Sequence, residues 1–487
     1  MPLILPGNVG SATAATGFNV DNSCLFHRAD SADMTLSMSS GGSQTKFTKS
    51  FWIKRCKIGE QHYIYDNSGT TQIFFHFRDT DKIGLGIFNS GAYSTELVST
   101  QLFRDVSAWY HFVIAVDYTN ATQALRARIY VNGTEITAFD TETRPGNDST
   151  TFDTFNSSKT HYIGSNASTN HYLHGYLAEV VHIDNAQLAP DQFGEFDEDS
   201  GIWKPIDVSG LTFGTKGYYL DFEDSANLGN DANGGTDWTE NNLAATDQST
   251  DTCTNNFATF NGVLGYNSTI ALAEGNIKGT TPSTHEALYG SIYSSIGVTK
   301  GKWYAEFKVT TNSNHSVVGI SADMESDADG SSGGAYNFTY LGQGLGYFGS
   351  NGKVFHSDSN TQMTYGSAVS NNDIVGVAMD VDNQEVYFSI NGTFQNSGDP
   401  TSGSSKTGGV VNEGARNIFS TGTGTLFFAV ADFDRDATCA IEANFGGGSV
   451  SAISSGNSDG NGYGNFEYAV PSGYYSLCTK NLAEFGG

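Results

Sequence analysis

His111-Phe-Val-Ile-Ala-Val-Asp117, followed by Arg128-Ile-Tyr-Val-Asn-Gly133, is the passage that decides the fold. The first run is apolar almost throughout, the pattern of a strand buried on both faces. In the second, Ala127, Ile129 and Val131 alternate with Arg126, Arg128 and Tyr130, the period of two of a half-buried strand. That strand stops at Asn132-Gly133, the strongest short-range hairpin signal, because both residues tolerate positive φ. The second half repeats the design: Val375-Gly-Val-Ala-Met-Asp380 precedes Val386-Tyr-Phe-Ser-Ile-Asn-Gly392. In each half a buried strand closes on Asp and the next arm closes on Asn-Gly. Two related jelly-roll sandwiches produce this echo, and so does convergence of two all-β sequences.

Other segments extend the reading. Ile83, Leu85 and Ile87 alternate with Gly84, Gly86 and Phe88, and Trp303, Ala305 and Phe307 alternate with Tyr304, Glu306 and Lys308. No stretch of similar length has the 3.6-residue period of a helix. The chain carries 58 Gly against 8 Pro among 487 residues, with many Phe and Tyr, a composition of strands and tight turns. The fold class expected is all-β, two tandem antiparallel jelly-roll β-sandwiches with an irregular connector. The boundaries expected are an extended arm over 1–17, a sandwich over 18–190, a connector over 191–264, a second sandwich over 265–480 and a tail over 481–487. Trp203, Tyr218, Phe222 and Trp238 argue that parts of the connector are packed.

Charge narrows the partners. With 24 Lys plus Arg against 52 Asp plus Glu, the formal charge of −28 repels phosphate backbones and anionic lipid. Neither nucleic acid nor membrane insertion is expected. The opening Met1-Pro2-Leu3-Ile4-Leu5-Pro6-Gly7 lacks a basic region and reads equally as an extended docking arm or as a disordered tail, not as a secretory signal. Cys24, Cys56, Cys253, Cys439 and Cys478 have neither metal-ligand nor redox spacing and suit a reducing cytosol.

Two blocks resemble known families. Phe47-Thr-Lys-Ser-Phe-Trp-Ile-Lys54, Ala108-Trp-Tyr-His-Phe-Val-Ile-Ala-Val-Asp117, Tyr162-Ile-Gly164 and Gly175-Tyr-Leu-Ala-Glu-Val180 resemble the concanavalin A-like, laminin-G-type sandwich. Gly301-Lys-Trp-Tyr-Ala-Glu306, Val318-Gly-Ile320, Gly346-Tyr-Phe-Gly349, Leu426-Phe-Phe-Ala-Val430 and Asn444-Phe-Gly446 resemble a SPRY domain. With the connector Phe193-Gly-Glu-Phe-Asp-Glu-Asp-Ser-Gly-Ile-Trp-Lys-Pro205 and the ending Pro471-Ser-Gly-Tyr-Tyr-Ser-Leu-Cys478, the whole resembles virion surface proteins of marine tailed bacteriophages. The resemblance implies a tail-fibre, tail-tip or capsid-decoration component that attaches to a host-surface glycan or protein; the alternatives are a purely architectural decoration protein and a secreted glycan-active hydrolase. It also implies contacts with other virion proteins through the arm, assembly in multiple copies, and a place on the virion surface after synthesis in the host cytoplasm.

No enzymatic activity is expected, although glycan hydrolases share the concanavalin A-like scaffold. Their Glu-x-Asp-x-x-Glu strand is approached by Glu195-Phe-Asp197-Glu-Asp199, but Ser200 stands where the last carboxylate belongs. A solvated acidic turn explains the segment better. No cofactor is expected beyond a Ca2+ option at Glu325, Asp327 and Asp329, alternate oxygen ligands before Gly330. Against it, Tyr336 replaces the closing carboxylate of such a loop. His161, His171, His174 and His182 are read as ordinary strand and loop histidines. The ligand-binding residues expected are Asp327, Asp329, Tyr336, Asn337 and Tyr340, acidic and aromatic side chains suited to sugar hydroxyls and ring faces. Phe338, Tyr347 and Phe348 belong to the same aromatic run, with alternate members expected in the core.

Overall fold

The computed structural model describes residues 17–486 except 40, 70, 90, 147–154, 156, 199, 267–269, 282–290, 323–337, 340–343, 357–361, 421–423 and 433–436. The chain divides after Thr254 into two compact units. Each is a sandwich of antiparallel sheets, so the fold class read from the sequence holds.

In the first unit one sheet runs Thr134–Glu135, Ala127–Val131, Trp109–Asp117, Lys46–Arg55, Gly175–Asp184, Ser23–Phe26, Gln248–Ser249. The second runs Phe139–Thr143, Ala92–Leu102, Lys82–Asn89, Thr71–Phe77, His62–Asn67, Thr160–Ile163, Asp33–Ser37, Thr239–Asn241. Phe51, Phe75, Phe112, Ile114 and Leu177 meet in the core between them. The strand Trp109–Asp117 is buried on both faces for a visible reason. Phe112, Ile114 and Val116 enter that core, while Val113 and Ala115 pack under Phe193, Val208, Phe213 and Tyr219 on the outside.

Those covering residues come from the segment read as connector. Up to Thr254 it falls within the first compact unit. Tyr218–Leu220 pairs with Gly175–Asp184, and Thr239–Asn241 with Asp33–Ser37. Gln248–Ser249 pairs with Ser23–Phe26. A hairpin of Gly194–Phe196 and Trp203–Pro205 is held by Trp203, whose Nε1 donates to His111 Nδ1 at 2.9 Å. The end is clamped by Lys54 Nζ, 2.6 Å from the Asp251 carboxylate, with both side chains buried.

In the second unit one sheet runs Phe260–Tyr266, Ser291–Ser294, Phe427–Asp432, Ser316–Ser321, Gly344–Phe348, Lys353–Phe355, Gln362–Thr364. The other runs Ala271–Ala273, Lys278–Thr280, Ala440–Asn444, Lys302–Thr311, Ile374–Asp380, Glu385–Ile390, Thr393–Phe394. Trp303, Phe307, Val377, Phe388 and Phe428 share its core. Residues 481–487, expected as a tail, are corrected: Thr479–Phe485 is an α-helix, and Leu482 enters the core because its apolar side chain gains from burial.

The echo between the halves extends to single atoms. Asn132 and Asn391 have φ of 46° and 48°, followed by Gly133 and Gly392 at 76° and 77°. In the first unit Asn132 Oδ1 accepts from the His111 amide at 2.8 Å, while Asn132 N donates to His111 O at 2.9 Å. In the second, Asn391 Oδ1 accepts from the Ile374 amide at 2.9 Å, and Asn391 N donates to Ile374 O at 2.9 Å. Asparagine is selected at both positions because it tolerates left-handed φ and offers an acceptor at short reach.

Most sheet ends are short. Thr134–Glu135, Gln248–Ser249, Thr239–Asn241, Gln362–Thr364 and Thr393–Phe394 are strands of two or three residues. The longer terminal strand Phe139–Thr143 carries Asp140 and Glu142. Phe260–Tyr266 is interrupted by a bulge between Phe260 and Gly265.

Candidate ligand-binding face of the first sandwich

The strand Thr71–Phe77 sends Ile73, Phe75 and Phe77 into the core, which turns Phe74 and His76 outward. In its neighbour Lys82–Asn89, Ile83, Leu85 and Ile87 go inward, so Gly84, Gly86 and Phe88 face out. The register sets Phe74 opposite Gly86 and His76 opposite Gly84. The two rings lie over a floor without side chains: a Cβ on Gly86 would stand 2.3 Å from the Phe74 ring, and one on Gly84 2.7 Å from His76. Tyr63 is paired with His76 from the other side, and Tyr93 lies opposite Phe88.

The result is a continuous aromatic layer. Ring centroids are 4.9 Å apart for Tyr63 and His76, 5.5 Å for Tyr63 and Phe74, and 5.2 Å for Phe88 and Tyr93. His171 stacks on Tyr63 at 5.9 Å. Tyr93 is 45% exposed, Tyr63 and Phe88 are half-buried, and Phe74 and His76 lie beneath them. Polar groups ring the layer: Gln61 Nε2 is 2.9 Å from His76 Nδ1, and Arg78 Nη1 is 3.4 Å from Glu96 Oε1.

Electrostatics keep the layer uncharged at neutral pH. Burial, with Arg78 and His171 nearby, lowers His76 to about 3, so the imidazole stays neutral. Burial and Asp66 raise the Tyr63 hydroxyl to about 12, so it remains a donor. Aromatic faces with hydrogen-bonding groups at the rim suit a ligand with an apolar face and hydroxyl edges. Glu96, the carboxylate at this rim, is held by Arg78.

The residues expected from sequence fall elsewhere. Asp327, Asp329, Tyr336, Asn337 and Tyr340, and the Ca2+ option at Glu325, Asp327 and Asp329, lie outside the described residues. Their neighbours Phe338 and Phe348 are buried in a cluster with Tyr293 and Phe427, and Tyr347 is in the core. Glu195 and Asp197 share Lys204, at 3.3 and 3.1 Å, on the exposed hairpin. Hydrogen bonds from the Ser200 amide and hydroxyl, with Lys204, lower Asp197 to about 2, the opposite of what a general acid needs.

The four histidines make different contacts, although His161 and His182 both lie near Lys49. His161 Nε2 lies 2.8 Å from Ser157 O, and His171 stacks on Tyr63. His174 meets His27 edge-on at 5.0 Å, and His182 packs on Tyr218 at 5.3 Å. None of the five cysteines, all of them among the described residues, forms a disulfide, and all but Cys253 are buried.

The aromatic layer is not among the sites the sequence singles out. Its signal was the two outward glycines, Gly84 and Gly86, on a strand whose neighbour turns Phe74 and His76 to the same face.

Residues 29–191 match a laminin-G-type family, described as the Concanavalin A-like lectin/glucanases superfamily. No curated protein matches the chain. Among solved structures it is similar to the SPRY domain of human HERC1, at 16% identity and a TM-score of 0.28, covering 38% of this chain and 96% of that one. It is also similar to a heptameric SAP-like pentraxin from Limulus polyphemus, at 13% identity and a TM-score of 0.26, covering 35% and 78%. Mouse laminin α1 chain domains LG4-5 follow, at 10% identity and a TM-score of 0.28, covering 88% and 90%.

Proposed function

We propose that the protein is a non-catalytic recognition component of a bacteriophage virion that binds glycan through the aromatic face of its first sandwich. The observation that carries this reading is the layer of Tyr63, Phe74, His76, Phe88 and Tyr93 over a glycine floor, rimmed by Gln61, Arg78 and Glu96. Such a face offers stacking to the apolar side of a sugar ring and hydrogen bonds to its edges. The match of residues 29–191 to a superfamily that includes lectins supports the same ligand class.

The virion setting rests on the resemblance of the connector and C-terminal motifs to marine tailed-phage surface proteins. In this reading residues 1–17 dock to other virion proteins at a tail or on the capsid, and the SPRY-like second sandwich is displayed as a further binding module. Repeated copies convert weak single-site affinity into firm attachment.

The test is an array of bacterial and algal glycans probed with the whole chain and with Tyr63→Ala/Tyr93→Ala. Retention of a glycan set by the native chain, lost at least tenfold in the variant, is expected. Equal retention, or none, rejects the glycan reading and leaves an architectural role. Mass spectrometry of purified virions tests the setting: absence of the protein rejects it.

A further inference from the structure

The second sandwich carries a different polar cavity. Trp303, Ala305, Phe307 and Val309 of Lys302–Thr311 enter the core, so Glu306 and Lys308 project from the outer face. The register places Asn444 beside Glu306 and Glu442 beside Lys308. Residues 449–468 fold over this row. The amides of Glu467 and Tyr468 each donate to the Glu306 carboxylate at 2.9 Å, and Asn444 Nδ2 donates to Asn465 O at 2.8 Å. A cavity of 190 Å³ remains between sheet and segment. At ~30 Å³ for each liquid water, that is room for about six.

Its hydrogen-bonding groups are unevenly used. Lys308 Nζ donates to Ser451 Oγ at 2.8 Å, and Ser451 Oγ donates on to Glu442 at 2.7 Å. Glu442 also meets Lys278 at 3.4 Å. An ammonium has three donors, so Lys308 keeps two without an acceptor among the described residues. Tyr468 and Asn372 also line the cavity, and neither side chain has a hydrogen bond to another described residue. Glu306, Glu442 and Glu467 are braced by protein donors but retain lone pairs, and Ile374 and Ile453 supply a small apolar wall. Three carboxylates against one ammonium disfavour an anion. Mixed donors and acceptors beside a small apolar surface fit an uncharged, polyhydroxylated ring.

We infer that this cavity binds one residue of a neutral sugar, with Lys308, Tyr468 and Asn372 donating to its hydroxyls. The inference is independent of the first sandwich's aromatic face. To isolate it, the full chain carrying Tyr63→Ala/Tyr93→Ala is titrated with glucose, galactose, mannose, N-acetylglucosamine and glucuronate, observed by saturation-transfer NMR. Saturable binding of at least one neutral sugar is expected, at least tenfold weaker after Lys308→Met, severalfold weaker after Tyr468→Phe, and poorer for glucuronate. No neutral sugar bound, binding indifferent to Lys308→Met, or a preference for glucuronate overturns the inference. If circular dichroism shows that Lys308→Met does not fold, Tyr468→Phe decides: unchanged binding overturns it.

Discussion

Gly86 lies under the ring of Phe74 so closely that a methyl group on its Cα would stand 2.3 Å from the ring edge. The glycine is therefore part of the aromatic face, because it sets the height at which the ring rests. Gly86→Ala is expected to lift Phe74 and disorder the layer up to Tyr63 and Tyr93. Overpacking of this kind costs about 1–3 kcal/mol. Thermal unfolding reads the stability loss, and glycan retention should fall with it. An unchanged melting temperature and unchanged retention would show that the ring height does not matter.

His111 and Trp203 give a pH-dependent prediction. The indole N–H can only donate, so His111 Nδ1 must be the unprotonated nitrogen, leaving Nε2–H for Ser50 Oγ at 2.7 Å. Burial lowers His111 to about 3. A folded pKa below the unfolded value of about 6.5 means the unfolded chain takes up protons first. The stability is complete above about pH 6.5 and is lost as pH falls towards 3. The reporter is Trp203 fluorescence, tracked in a chain whose other tryptophans are replaced by Phe. Release of the hairpin on acidification is expected, and a signal flat down to pH 3 would contradict it.

Glu179 behaves in the opposite sense. It sits at a bulge in Gly175–Asp184 with φ of 50°, buried, and accepts from the Tyr219 hydroxyl at 2.7 Å. Burial raises its carboxyl to about 8 despite that bond. Here the folded state holds the proton more tightly. Its stabilisation is complete below the unfolded pKa of about 4.3 and is lost as pH rises through about 8. Glu179→Gln should leave stability at pH 5 nearly unchanged and raise it at pH 9, by roughly 1–4 kcal/mol. Urea unfolding at the two pH values measures both.

Lys54 and Asp251 form the most deeply buried of the first unit's ion pairs that involve the former connector. Asp251 also accepts from Trp109 Nε1 at 3.2 Å. Asp251→Asn leaves a buried ammonium uncompensated, a loss of about 3–5 kcal/mol. Lys54→Met/Asp251→Asn should recover part of it, because no charge is stranded. A double variant as weak as the single one would assign the loss to the Trp109 contact instead.

The parts of the fold written in periodic strands were legible in the sequence. Ile83, Leu85 and Ile87 face the core as their alternation requires, and both Asn-Gly turns lie at hairpins. The segment around Tyr218–Leu220 was harder, since a three-residue strand carries no period and its pairing partner lies over 30 residues upstream. Only the buried aromatic residues hinted that it was packed. The aromatic face was missed for a related reason. It is assembled by register across four strands, and alternation within one strand says which side a residue takes but not which residue lies opposite. The aromatic run at 336–348 is the denser signal in the sequence, yet Phe338, Tyr347 and Phe348 are buried within the second sandwich.

The short, charged or bulged strands that end each sheet have a consequence for crowding. An open sheet edge is a template on which an identical chain can add a strand. Here Thr134–Glu135 and Gln362–Thr364 offer too few backbone groups, and Phe139–Thr143 carries Asp140 and Glu142, ion-paired with Lys82 and Arg144, so an added strand would meet charged side chains. With a formal charge of −28 spread over each chain, neighbours packed at high local density repel one another without fusing into fibres. A chance meeting of two copies is thus kept from becoming a shared sheet.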